Sequence, residues 1–584
     1  MPSALLSCLL AATAAVGTAL PHNSRDASPP TVELADGVYY GLYKPTYDQD
    51  EFLGIPYAQP PLGPLRLSPP QPLNETWDTP RNATEYSPQC IGYGSDTWVL
   101  GNYVSEDCLT LNVVRPHGVA ADAQLPVAVW IHGGGLTTGG SSDPRYNLTF
   151  IVEQSVAMGT PIVAASVNYR LSGWGFLWSS EVAEAGAGNL GYKDQRLALE
   201  WVQENIAAFG GNPDEVTIWG ESAGARSVAA QLMAYGGRDD GLFRAAVMQS
   251  GTGLYTDFDD VEPEGVSAQE HYDAVVKAAG CTDADDSLGC LKEVDTKTLS
   301  DIFNSTASSG FGNIIDGEFI TAPRADLLKA GKFVPVPLLI GANADEGAQF
   351  GTKGINTDSE WVKLLSSDGA GNTTIGDLSA LYPDIPAAGL PATLEGRPGD
   401  EYGAQWKRVV AYAGDKDQHA PRRLWAREWA KQNQTAYSYH FNVLTNGMPV
   451  EEGSSHFQEV AFVFNNVDGL GYDTVVAENP FEGMPATFGK LADTMSRMWV
   501  SFITTSDPNY NGGMYFPASQ DFGSFSNCVV ATCKRWPAYS VDKPKNMAFN
   551  VNASSVAYVE PDTYREEQIE YLINKLWEQE TDEE

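Results

Sequence analysis

Short apolar runs punctuate this chain at intervals, at Leu125–Ile131, 161–167, 216–219, 243–248 and 336–340. Each is too short for a buried helix and rich in Val, Ile, Leu and Ala, the pattern of strands covered on both faces. Between them the period changes to that of a helix, best in 194–209, where Leu199, Val202, Ile206 and Phe209 share a face and Gly210 ends the run. Strand and helix in alternation predict an α/β protein, a mostly parallel sheet with helices on both faces. Residues 31–42 alternate around a turn and read as paired strands, whereas the Pro-rich 52–66 reads as an ordered surface loop. Residues 351–435 are broken by Gly and Pro and hold helical pieces such as 421–431, expected as excursions over one end of the sheet. Near the C-terminus Ile569, Leu572, Ile573 and Leu576 form one stripe, expected to pack. There is no internal repeat.

Composition adds a compartment. Residues 1–20 form a short apolar segment ending in small residues, the pattern of a secretory signal peptide, and the polar 21–30 follows as an unstructured segment. Removing the signal takes Cys8 with it and leaves six of the seven cysteines, an even number suited to an oxidising compartment. The pairings that close the shortest loops are Cys90 with Cys108, Cys281 with Cys290, and Cys528 with Cys533. Seven Asn-x-Ser/Thr sites, at Asn74, Asn82, Asn147, Asn304, Asn372, Asn433 and Asn552, point to a secreted glycoprotein carrying N-linked glycans. No later run has the apolar length of a membrane span, so no stable membrane anchor is expected. The formal charge of −39, from 75 acidic and 36 basic residues, opposes binding to nucleic acid or an anionic membrane and attracts cations.

Candidate chemistry centres on Val216-Thr-Ile-Trp-Gly-Glu-Ser222-Ala-Gly224, where a strand runs into helix formers across two glycines. A tight turn there exposes one hydroxyl, that of Ser222. A serine hydroxyl needs a base, and seven histidines exist. His22, His117, His271, His419 and His440 occupy tail, turn, polar or strand contexts, and His132 belongs to a glycine motif, which leaves His456 in a small-residue loop. A carboxylate must hold the imidazole tautomer; Glu346 and its neighbour Asp345 follow the strand that ends at Ile340. The run Ile131-His132-Gly133-Gly134-Gly135 follows another strand, and its amides, with that of Ala223, can meet an oxyanion. No metal or organic cofactor is called for.

The chain resembles the type-B carboxylesterase/lipase family, which includes the cholinesterases and fungal lipases of the α/β-hydrolase fold. The matching stretches include Phe52-Leu-Gly-Ile-Pro-Tyr-Ala, Ser105-Glu-Asp-Cys108-Leu-Thr-Leu-Asn112, His132-Gly-Gly-Gly135, Gly188-Asn-Leu-Gly-Tyr-Lys-Asp-Gln195, Gly220-Glu-Ser-Ala-Gly224, Asp345-Glu-Gly347 and 456–464. The resemblance implies one domain over 31–584, a Ser222, Glu346, His456 triad with Glu346 preferred to Asp345, and oxyanion donors at Gly134, Gly135 and Ala223. It also implies the bonds Cys90–Cys108 and Cys281–Cys290; Cys528–Cys533 rests on proximity. Leu136 stands where the family often has an aromatic, and Arg226 where lipase relatives often carry Met, so both are candidate pocket residues.

The implied activity is hydrolysis of a small-molecule ester through an acyl-enzyme. Seventeen residues separate Cys90 from Cys108, short for the lid that lipases of this family carry there, so small or soluble esters are expected, with triacylglycerols the alternative. Trp98 in the same loop, together with the acidic charge, makes choline esters a further alternative. A non-catalytic binding or adhesion module is the reading from another class, and relatives of that kind usually lack the serine or histidine.

Overall fold

A computed structural model describes residues 29–94, 103–254, 267–306, 311–474, 477–511, 514–515, 535–553 and 555–578. Eleven strands form the central sheet: β1 Leu42–Lys44, β2 Gln49–Pro56, β3 Thr110–Pro116, β4 Leu125–Ile131, β5 Val163–Val167, β6 Gly211–Glu221, β7 Ala245–Gln249, β8 Leu338–Asn343, β9 Ala436–Phe441, β10 Lys545–Phe549 and β11 Ala557–Pro561. Their order across the sheet is β1-β2-β3-β5-β4-β6-β7-β8-β9-β10-β11. From β5 to β10 neighbouring strands are parallel, and the pairs at either end are antiparallel.

Alternate side chains of each inner strand enter opposite faces, as the period of two requires. Val127, Val129, Ile131, Ile218, Met248 and Ile340 fall in one core, and Ala128, Trp130, Trp219, Val247 and Leu339 in the other. Helices α1 Leu190–Asn205, α2 Ala223–Gly237 and α3 Ala420–Lys431 cover the first face. Helix α4 Thr487–Thr505 covers the second with Leu491, Met495, Trp499 and Phe502. The expected C-terminal helix is α5 Glu566–Glu578, whose stripe of Ile569, Leu572, Ile573 and Leu576 is buried in the first core. The helix expected over 194–209 begins earlier, at Leu190, and its last turn tightens to 3-10 over Ile206–Phe209 before Gly210 at φ 84°.

One expectation is corrected. Residues 52–56 belong to the buried strand β2, with Phe52 and Ile55 fully enclosed, because an irregularity between them lets the strand bend at Gly54, where φ is 69°. Residues 31–34 and 37–40 pair as expected, in a small separate sheet. Within 351–435 four α-helices form, and the last, α3, seats Trp425 and Trp429 against the sheet. The bonds Cys90–Cys108 and Cys281–Cys290 are formed. Cys528, Cys533 and Trp98 lie outside the described residues.

Candidate active site

Strand β6 ends at Glu221 and α2 starts at Ala223, so Ser222 makes the whole turn. It does so at φ 57°, ψ −123°, a conformation that costs a side-chain-bearing residue about 1–3 kcal/mol. The surroundings hold it there. Its amide donates to the Gln249 carbonyl at the end of β7 (2.9 Å), and its carbonyl accepts from the Arg226 amide at 3.0 Å. Glycines clear the space: a Cβ on Gly224 would overlap the Ile131 carbonyl, one on Gly220 would lie 2.8 Å from it, and one on Gly251 would overlap the Ser222 carbonyl. Gly251 carries no sequence signal beyond following β7.

The glycine turn after β4 lies against this elbow. A Cβ on Gly133 would stand 2.7 Å from the Glu221 carbonyl and 3.0 Å from Ser222 Cβ. Gly134, Gly135 and Leu136 follow with φ of 99°, 65° and 62°, and the Gly134 carbonyl turns inward to accept from the Thr137 and Thr138 amides, both at 3.0 Å. Ala223, at the first position of α2, presents an amide with no acceptor inside the helix. His132 braces the turn from behind: its Nδ1 is 2.9 Å from the Gly133 carbonyl, and its ring stacks on Tyr169, whose hydroxyl donates to the His132 carbonyl. Burial pushes its pKa down to about 4, so it is a neutral prop.

His456 arrives on the loop beyond β9. Its Nδ1 sits 2.7 Å from Glu346 Oε2, and its Nε2 is 3.2 Å from Oε1 of Glu221, the residue before Ser222. Glu346 is fully buried in the turn after β8, where its Oε1 accepts from the Asn343 amide at 2.7 Å. The other described histidines are committed elsewhere: His117 to Asp50, His440 to Glu560, His271 beside Phe311, and His419 deep in the protein, where burial holds its pKa well below the usual imidazole range.

Four further groups were not legible in advance. Asn343 Nδ2 donates to Glu459 Oε2 (2.7 Å) and to the Ser455 carbonyl (2.8 Å). Gln249 Nε2 donates to Glu459 Oε1 at 3.1 Å, while the Gln249 side-chain oxygen accepts from the indoles of Trp219 and Trp499. Glu221, Glu346 and Glu459 thus surround one imidazole. Burial lifts the Glu221 carboxyl well above the usual range and raises that of Glu459. Burial also opposes a charged His456, but Glu221, Glu346 and Glu459 outweigh it and push the imidazole up to about 9. Glu221 sits inside the serine motif and Glu459 three residues after His456, the only hints the sequence offered.

Arg226 is half-buried one turn beyond Ser222 on α2. Leu136 is buried in the core beneath the glycine turn, its carbonyl accepting from Ser172 at 2.7 Å.

The family model described as "Carboxylesterase family" matches residues 28–571. The chain belongs to the carboxylesterase family. Among similar members, Lipase 4 of Diutina rugosa is 37% identical over 478 residues, covering 75% of this chain and 83% of its own. Secreted lipase 1 of Botryotinia fuckeliana (strain B05.10) is 32% identical over 588 residues, covering 94% of each. The cholinesterase of Mus musculus is 32% identical over 532 residues, covering 86% and 80%. The solved structure of Aspergillus niger EstA is similar with a TM-score of 0.74 and 26% identity, covering 94% of this chain and 99% of that one. A PNB esterase structure follows at 0.70 and 25%, covering 93% and 100%. This carboxylesterase-family protein is a carboxylic ester hydrolase with the α/β-hydrolase fold. Among its described residues no helix is long and apolar enough to cross a membrane, and no group of three or more His, Cys, Asp or Glu is arranged to hold a metal ion.

Proposed function

We propose that the protein hydrolyses esters through a Ser222, His456, Glu346 triad. The observation that carries this reading is the 2.7 Å bond from His456 Nδ1 to buried Glu346, which leaves Nε2 turned to the residue beside Ser222. Ser222 Oγ attacks the ester carbonyl as its proton passes to His456 Nε2. The amides of Gly134, Gly135 and Ala223 meet the oxyanion. His456 then returns the proton to the departing alcohol, and water, activated by the same imidazole, releases the acid from Ser222.

The base works only when neutral. A carboxylate stabilises the imidazolium, so its loss lowers the His456 pKa, and the limb of kcat/KM that rises with pH moves to lower pH. Glu221→Gln is therefore expected to shift that limb downward by about one pH unit. An unmoved limb would mean that Glu221 is already protonated throughout that range.

Small or soluble esters are the favoured substrates, on the strength of the short Cys90 to Cys108 loop. The Diutina and Botryotinia relatives are named as lipases, which favours a lipase as the second reading. The acidic charge and the cholinesterase relative bear on choline esters, and Leu136 and Arg226 are the pocket positions at which to seek the preference. The protein is further read as one domain over 31–584, secreted and glycosylated. Asn74, Asn82, Asn304, Asn372, Asn433 and Asn552 are exposed, whereas Asn147 is half-buried with its side chain capping a helix at Thr149.

An organophosphate is expected to label the protein at Ser222, with a panel of acyl lengths and alcohols hydrolysed in parallel. Absence of labelling would favour a non-catalytic module. A rate that rises sharply at the solubility limit of a triglyceride would establish the lipase.

A further inference from the structure

Asp345, next to Glu346, grips the loop that delivers His456. Its amide donates to the Ser454 carbonyl at 3.0 Å, and its Oδ2 accepts from the Ser454 amide at 2.8 Å. Both peptide groups of Ser454 are thus committed to one residue. Two positions on, His456 meets Glu346. The sequence around the grip, Gly453-Ser454-Ser455, has no large side chain to anchor it by burial. Gly453, at φ 62°, packs so closely that a Cβ there would overlap Asp345 Oδ2. On its far side Ser454 Oγ accepts from the Val443 amide and donates to the Phe441 carbonyl, tying the loop to the end of β9.

Asp345 is 3% exposed. Burial raises its pKa to about 6, opposed by the Ser454 amide, His440 and Lys407 and reinforced by Glu346, while the Tyr564 phenol also feels its charge. A buried carboxyl among these groups is expensive to keep, and the bond that its Oδ2 accepts from the Ser454 amide accounts for its presence.

We propose that Asp345 is a positioning residue: by holding Ser454 it sets the separation of His456 from Glu346. The inference rests on the proposed roles of those two residues. A displacement of about 1 Å at a reacting centre can cost about 100-fold in rate, so the grip matters to the chemistry as well as to the fold.

The test compares Asp345→Leu, which keeps bulk but loses the acceptor, with Asp345→Asn, which keeps an oxygen for Ser454. Rates are normalised to active sites counted with an organophosphate. The Leu variant is expected to lose about 30- to 100-fold in kcat with KM within about threefold. Its rising kcat/KM limb should also move to lower pH, because a more distant Glu346 stabilises the imidazolium less. The Asn variant should recover most of the lost kcat. A Leu variant with wild-type kcat and limb, or an Asn variant that falls as far as Leu, would overturn the proposal; so would a loss confined to the amount of folded protein. If the Leu variant does not fold, Gly453→Ala drives a methyl into the same carboxylate. It should give the same kcat loss and limb shift, and unchanged values there would equally refute the grip. Wild-type protein that neither hydrolyses esters nor labels at Ser222 removes the triad and this proposal together. Labelled, active protein indifferent to Asp345 removes this one alone.

Discussion

Ser222→Ala lowers kcat by about 10⁴-fold or more while circular dichroism and the thermal midpoint stay close to wild type. The loss is large because the hydroxyl is the atom that forms the acyl-enzyme, and no other side chain is placed at the turn between β6 and α2 to replace it. The fold survives because alanine removes one oxygen and leaves the backbone bonds of residue 222 to Gln249 and Arg226 in place. Alanine at φ 57° bears the same backbone strain as serine, so the midpoint has little reason to move. A residual hydrolysis within about tenfold of wild type would require a different nucleophile.

Glu346→Gln produces the second largest effect, a fall in kcat of about 10³- to 10⁴-fold with KM little changed. An amide of the same shape can turn its NH₂ toward His456 Nδ1, which then keeps its lone pair there and carries the proton on Nε2, the wrong tautomer to accept from serine. The charge that stabilises the imidazolium is lost as well. Steady-state kinetics beside the pH profile check this: the rising limb should move to lower pH, since the carboxylate that favours the protonated ring is gone. The contrast with Asp345 is informative, because there a neutral isostere keeps the needed acceptor and Asn is expected to restore function. At Glu346 the same change removes it.

Much of the architecture could be read from local spacing. Runs such as Leu125–Ile131 alternate between two cores, and a segment covered on both faces must be apolar at every position. The terminal stripe and the Gly210 helix end followed from the same rule. The strand at Gln49–Pro56 was missed because prolines and glycines dominate its continuation, and the bend that accommodates Gly54 inside a buried strand leaves no periodic trace.

By itself the sequence determined the α/β class, the serine elbow, the glycine turn and the identity of the candidate base. The first three depend on residues adjacent in the chain, where turn sterics and hydrophobic period act over a few positions; the base was reached by elimination among seven histidines. Only the tertiary structure decided which groups surround His456. The ring meets Glu346 across 110 residues, Glu459 meets Gln249 across 210, and Ser454 meets Asp345 across 109. Such contacts arise because parallel strands β6 to β9 end at one edge of the sheet and bring their following turns together, a consequence of strand order that no local pattern encodes.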